Sequence, residues 1–303
     1  MKLGFLTAPF PETPLMDVAD WASSVGFEVL EIACWPRTTG PSRRYAGTSH
    51  IDVANLSDDQ ATEIVDEIAA KGLSVSGLGF YPNPLHPDPA HRETVIGHLK
   101  KVMVAASRMG VPLVNTFMGG DASKSQDENW ETALQVWPDI VKAAQDNGVK
   151  LTIENCPMIF SRDEWPAGHN IAWSPYIWRR ILEQWGGTVG LNYDPSHLVW
   201  LMIDQERFIK EFGPHILHFQ AKDLEIDPDG LYERGTLSVG MVPVPTAAAG
   251  GFLKKQPADR DPCGCVAMRR DFASSMRARI FSGSSRVSRR VAPSNNSPSL
   301  NEV

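Results

Sequence analysis

The stretch Gly187–His197, GTVGLNYDPSH, sets a glycine before a short apolar strand that ends in a carboxylate, with a histidine three residues further on. The same pattern, a helix-like stretch closed by glycine and followed by an apolar run, recurs along the chain. Gly26, Gly72, Gly110, Gly148 and Gly213 precede FEVLEIACW, LSVSGLGF, VPLVNTF, VKLTIEN and PHILHFQ. Apolar strands buried on both faces and alternating with amphipathic helices are how consecutive βα units look in sequence. MKLGFLT at the N-terminus adds a seventh strand, one short of a (β/α)8 barrel. The predicted fold is therefore α/β, a TIM (β/α)8-type barrel over residues 1–241 that is incomplete at its eighth strand, with an irregular basic C-terminal tail over 242–303. A doubly wound open sheet is the alternative, but no Gly-rich phosphate fingerprint supports it.

Helical periodicity fills the intervals between strands. Leu15–Ser24 presents Leu15, Val18, Ala19 and Ala22 on one face. Ser57 caps a second helix, with Asp58 and Asp59 in its first turn and an apolar stripe through Ala61, Ile64, Val65, Ile68 and Ala69. Further helices are predicted over His91–Met109, Asp127–Asn147, Pro175–Trp185 and Asp204–Phe212. Residues 33–56, 80–90 and 155–173 form long connections after strands, where functional loops are expected.

The formal charge of −7 conceals a break at Val242. From there to Val303 the chain has ten basic and four acidic residues, against 19 and 32 before it, and every tryptophan and tyrosine precedes it. The acidic body argues against a nucleic-acid partner, because phosphate binding needs basic surface. MKLGFLTAPFPETP reads as a first strand and loop rather than a signal peptide, and no apolar run is long enough to span a bilayer. Four cysteines without regular spacing (Cys34, Cys156, Cys263 and Cys265) point to a reduced, cytoplasmic protein. Cys34 and Cys156 read as free thiols at strand ends, and Cys263-Gly-Cys265 lacks the second pair that a zinc knuckle needs.

In a barrel, the C-terminal strand ends form the active-site face. Glu154 ends LTIEN, Asp194 ends VGLNYD, and Gln220 ends HILHFQ. Each has a plain structural reading: a salt-bridge partner for Glu154, a helix N-cap for Asp194. Period-two alternation puts His218, Gln220 and Lys222 on one face of their strand. Three successive strands ending in oxygen donors suit a hard divalent ion, and nearby imidazole widens the choice.

IENCP, LNYDPSHL and HFQAKD, in that order and spacing, resemble the xylose-isomerase-like TIM-barrel sugar (and sugar-phosphate) isomerases and epimerases. The likeness extends over about residues 1–241, with GFYPNPLHPD and VNTFMGG fitting strands three and four. The resemblance implies one divalent ion (Mn2+, Mg2+ or Co2+, with Zn2+ as an option) held by Glu154, Asp194 and Gln220. The family's strand-seven histidine ligand is replaced here by Gln220. His197, His218 and Lys222 match positions that meet substrate or support strand seven. The implied reaction is proton removal beside a sugar carbonyl by Glu154, through a metal-stabilised enediolate, with return of the proton from the opposite face. Epimerisation and aldose–ketose isomerisation differ only in which carbon receives it; a keto-inositol dehydratase is the runner-up, and a non-catalytic degenerate barrel the third reading. The implied partner is a small-molecule sugar or polyol-derived ketone, with homo-oligomerisation left open and no membrane or nucleic acid.

The family's fourth ligand, a strand-eight glutamate within Ile-Glu-His-Glu, has no match. Codons for Ser274-Ser275-Met276-Arg277 can be chosen so that the frame one nucleotide earlier reads Glu-His-Glu, preceded by Phe, Leu, Ile or Val. A frame error in the gene or its sequence would thus explain the tail; a genuine basic tail is the alternative. Either way, this chain is expected to be less stable than a closed barrel and weakly active or inactive.

Overall fold

In the computed structural model the described residues are 2–37, 47–160, 164, 168–227, 229, 232–233, 238–242 and 267–269. Seven strands follow one another in parallel: β1 (Gly4–Leu6), β2 (Val29–Ala33), β3 (Ser74–Gly79), β4 (Leu113–Thr116), β5 (Lys150–Glu154), β6 (Val189–Tyr193) and β7 (Ile216–Gln220). Each pairs with the next in chain order, the arrangement that right-handed βαβ crossovers produce. The intervening helices are α1 (Leu15–Ser24), α2 (Asp58–Ala70), α3 (Pro89–Arg108), α4 (Gln126–Asp146), α5 (Pro175–Trp185), α6 (Pro195–Trp200) and α7 (Gln205–Phe212).

Local chemistry accounts for the helix boundaries. Ser57 and Ser125 each close a full capping box, with Gln60 and Glu128 returning the bond. Asp88, Ser174 and Asp204 cap α3, α5 and α7 through their side chains. Gly26, Gly72, Gly110 and Gly148 leave their helices with positive φ, which a side chain would resist. Gly213 instead opens a 3-10 turn at negative φ.

The strands alternate in what they present. Leu151, Ile153, Leu191, Tyr193 and Phe219 join the main core against the helices. The alternate positions carry polar side chains: Thr152 and Glu154 on β5, Asn192 on β6, and His218 and Gln220 on β7, with Glu154, Asn192 and His218 in register across the three strands. A second, separate apolar cluster of Leu6, Ala8, Ala33, Tyr81 and Phe117 sits at the C-terminal ends of the first four strands.

Beyond β7 the structure adds elements the sequence pattern does not foresee. β8 (Asp223–Asp227) and β9 (Ser238–Val242) form an antiparallel hairpin. A three-residue strand, β10 (Ala267–Arg269), pairs antiparallel with β7, so the β7 edge of the incomplete barrel is covered at Gln220, Phe219 and His218. The eighth strand position thus holds an antiparallel segment in place of a parallel one, and no ladder joins it to β1 among the described residues. The rest of the 242–303 tail, including Ser274–Arg277 and Cys263-Gly-Cys265, lies outside the described residues. No helix among the described residues is long and apolar enough to cross a membrane.

Candidate active site

The ends of β5 and β6 are held in fixed relation. The Asn155 side chain accepts from the Asp194 backbone N–H at 2.7 Å and donates to the Asp194 carbonyl at 2.8 Å. Asn170, fully buried in the loop after β5, donates to the carbonyls of Glu154 and Cys156 and accepts from the backbone N–H groups of Met118 and Gly119. These amides substitute for ladder bonds where the strands diverge, and so set the spacing of the side chains above.

Glu154 and Asp194 converge. His197 Nε2 lies 3.5 Å from Glu154 Oε1 and 3.2 Å from Asp194 Oδ2. The Lys222 ammonium donates to Glu154 Oε1 at 3.3 Å and forms a close ion pair with Asp194 Oδ2. Both plain and chemical readings of Asp194 hold, one oxygen each. Oδ1 caps α6 by accepting from Ser196 N–H at 2.9 Å and the Ser196 hydroxyl at 2.6 Å. Oδ2 faces the mouth, where its approaches are ionic without hydrogen-bond alignment. Burial works against an ionised Asp194, but Lys222 and His197 outweigh it and hold the carboxyl below its ordinary range. Burial likewise pulls the His197 imidazole down, while the Cys156 thiol and Asp194 raise it well above its ordinary value.

The second shared feature is a buried polar cluster across the barrel. Glu31 of β2 lies within an apolar strand and is fully buried. Tyr81 donates a short hydrogen bond to its Oε1, and Gln220 Nε2 stands 3.4 Å from its Oε2. Asn192 donates to the Tyr81 oxygen at 3.0 Å and shares a 2.9 Å bond with His218 Nδ1. Room for the carboxylate comes from Gly79: a Cβ there would meet Glu31 Oε1 at 2.7 Å. Burial pushes the Glu31 carboxyl up to about 7 from its usual 4.5, against the hydrogen bonds of Tyr81 and Asn115.

A consequence for stability follows from the sign of that shift. Between roughly pH 4.5 and 7 the unfolded chain releases this proton while the native chain keeps it, so stability falls as pH rises through that window, by roughly 3 kcal/mol at most. Urea unfolding of the parent and of Glu31→Gln at about pH 5 and about pH 7.5 should show this part of the slope only in the parent.

The structure thus brings together Glu154, Asp194, His197 and Lys222 at one mouth. Gln220 stands beside Asp194, one step beyond the Tyr193–Phe219 register pair. His218, two residues before Gln220 on β7, has no exposed surface and is bonded to Asn192 and within 3.3 Å of Ser76 Oγ. Cys156, half-buried and free, was legible only as a strand-end thiol; with Glu154 and His197 it offers ligand atoms within 4.8 Å of one another. Glu31, Tyr81, Asn155, Asn170 and Asn192 carried no sequence signal as site residues.

The donor set fits a divalent cation. Glu154, Cys156 and His197 offer ligand atoms within 4.8 Å of one another, Asp194 lies outside that group but shares the Lys222 ammonium with Glu154, and Gln220 Oε1 is buried without a hydrogen-bond partner among the described residues.

Comparison with known proteins agrees with this architecture. The uncharacterized protein YfiH of Bacillus subtilis (strain 168) is 27% identical over 255 residues, covering 75% of this chain and 74% of that protein. The crystal structure of the probable 3-DHS dehydratase AsbF from Bacillus anthracis superposes with a TM-score of 0.59 at 15% identity, covering 80% of this chain and 84% of that one. D-psicose 3-epimerase from Clostridium cellulolyticum H10 gives a TM-score of 0.52 at 19% identity, with 72% of each chain covered. A family model described as Xylose isomerase-like TIM barrel matches residues 19–248, which include every residue of the mouth described above. The chain belongs to the xylose isomerase-like TIM barrel family.

Proposed function

We propose that this chain is a metal-dependent sugar or sugar-phosphate isomerase or epimerase, impaired at its second proton-transfer step. The observation that carries the reading is the convergence of Glu154 and Asp194 on one imidazole nitrogen and one ammonium at the C-terminal strand ends. Glu154, Asp194 and the Gln220 amide oxygen would hold the ion, with Cys156 as a further donor at hand. A divalent ion bound there supplies Lewis-acid polarisation of a substrate carbonyl.

The remaining work falls to the chain's own groups. Glu154 takes the proton from the carbon beside the carbonyl, as a largely buried carboxylate at the mouth. His197, raised toward its protonated form, and Lys222 present N–H donors to substrate oxygens on the same side. His218 acts from below, keeping Asn192 in place. The apolar wall of Leu6, Ala8, Ala33, Tyr81 and Phe117 meets the C–H face of a polyol and excludes water from it.

No described residue supplies the strand-eight glutamate that would return a proton from the opposite face. Return to the original face only predicts a distinctive outcome: Glu154 releases the abstracted proton to solvent and hands a deuteron back to the same carbon, so the substrate C–H exchanges faster than product forms. Incubating the full chain with Mn2+ and a panel of ketoses and keto-inositols in deuterium oxide, followed by proton spectra, tests it. Exchange beside the carbonyl, ahead of epimer, isomer or water-loss product, is expected. Absence of exchange on every substrate, at high protein concentration and with metal bound, would favour a non-catalytic barrel.

A further inference from the structure

The strand-seven position that ends in an amide raises a problem of orientation. A glutamine can present either its oxygen or its NH2 to a cation, and only the oxygen coordinates. On the proposed reading of a cation site, something must decide which. We infer that Glu31 and Tyr81 are positioning residues that hold the Gln220 amide with its nitrogen toward β2 and β3 and its oxygen toward the cation place beside Asp194.

With Glu31 ionised, the hydrogen-bond directions leave one consistent assignment. The Tyr81 hydroxyl has a single proton, and that proton goes to Glu31 Oε1. Its oxygen is therefore an acceptor toward its other neighbours, Asn192 Nδ2 at 3.0 Å and Gln220 Nε2 at 3.5 Å. Glu31 Oε2, 3.4 Å from the same Gln220 nitrogen, is also an acceptor. Once Glu31 is ionised, turning the amide over would set its carbonyl oxygen against a carboxylate and a hydroxyl oxygen, with no proton available to either. In a fully buried cluster such a contact costs more than the bonds it replaces. The amide oxygen is thus directed away from β2, and it is this atom that stands buried without a hydrogen-bond partner among the described residues. Outer partners that orient a ligand commonly change metal affinity when removed.

Glu31 has a second neighbour through which it could act: its Oε2 lies 3.8 Å from His218 Nε2. A double-mutant cycle separates the two. Mn2+ affinity of the full chain is read from the free-ion paramagnetic resonance signal for the parent, Glu31→Met, Gln220→Ala and the double variant. Glu31→Met should weaken binding about 10–100-fold, because the freed Tyr81 proton can now hold the amide oxygen and turn the NH2 toward the ion. Gln220→Ala should weaken it comparably, and the double variant should be no weaker than Gln220→Ala alone. Should Glu31→Met fail to fold by circular dichroism, Glu31→Gln replaces it in the cycle. A several-fold loss that vanishes in the Gln220→Ala background is then expected. Unchanged affinity on altering Glu31, or losses that add, overturns the positioning role and leaves the carboxylate site standing. A parent chain that takes up no Mn2+ overturns both.

Discussion

Glu154→Gln is expected to abolish deuterium exchange at the substrate carbon while leaving the melting temperature within a few degrees of the parent. Glutamine keeps the volume and one acceptor oxygen but cannot take a proton. A positioned general base contributes about 10²–10⁴-fold, so exchange should fall by that factor even with metal and substrate bound. Stability changes little because Asp194 remains to compensate the Lys222 ammonium. The effect on exchange is measurable in a chain that forms little product, since exchange needs only removal by Glu154 and return from that same carboxyl, not delivery from the opposite face. Exchange surviving within about tenfold of the parent would assign the base elsewhere.

Lys222→Met should produce the largest loss of stability. Asp194 has no exposed surface, and its charge is balanced by Lys222 and His197. Removing one partner of a buried pair leaves an uncompensated charge, at a cost of about 3–5 kcal/mol. The pH dependence gives the sign. In the parent, Asp194 is held below its ordinary 3.8, so it contributes stability above that value which is lost as pH falls. Without the ammonium, burial dominates and raises the carboxyl, so mild acid should narrow the gap between variant and parent. Added Mn2+ should narrow it as well, by supplying the missing charge at the same place. Thermal melts with and without Mn2+, near neutrality and in mild acid, read both effects. A variant as stable as the parent would mean that His197 alone balances Asp194.

Much of this arrangement is legible in the sequence because its signals are local. The parallel strands announce themselves as apolar runs after glycine, and α1 and α5 fall at their predicted bounds because caps and periodicity lie within a few residues. Glu154 and Asp194 stand at strand ends, which a barrel turns to one face. The rest depends on pairings across long stretches of chain. Glu31 looks like a polar interruption of an apolar strand until Tyr81, 50 residues on, and Gln220, 189 residues on, are brought to it. Asn170 lies in a loop with no periodicity, yet it ties the exits of β4 and β5 together. The six-residue helix α6 escapes notice because it is too short for an apolar stripe, although Asp194 and Pro195 are the start signals it needs. β9 and β10 lie at and beyond the composition break at Val242, and β8 follows β7 after only two residues, so none of the three stands out as a separate apolar run.

The cation's seat is open to direct observation. Diffraction from crystals of the full chain soaked in Mn2+, recorded with the ion's anomalous signal, should place one ion between the Glu154 and Asp194 carboxylates, with the Lys222 ammonium moved aside and the Gln220 amide oxygen turned toward it. An ion bound only elsewhere, or none at a concentration that saturates solution binding, would contradict the account.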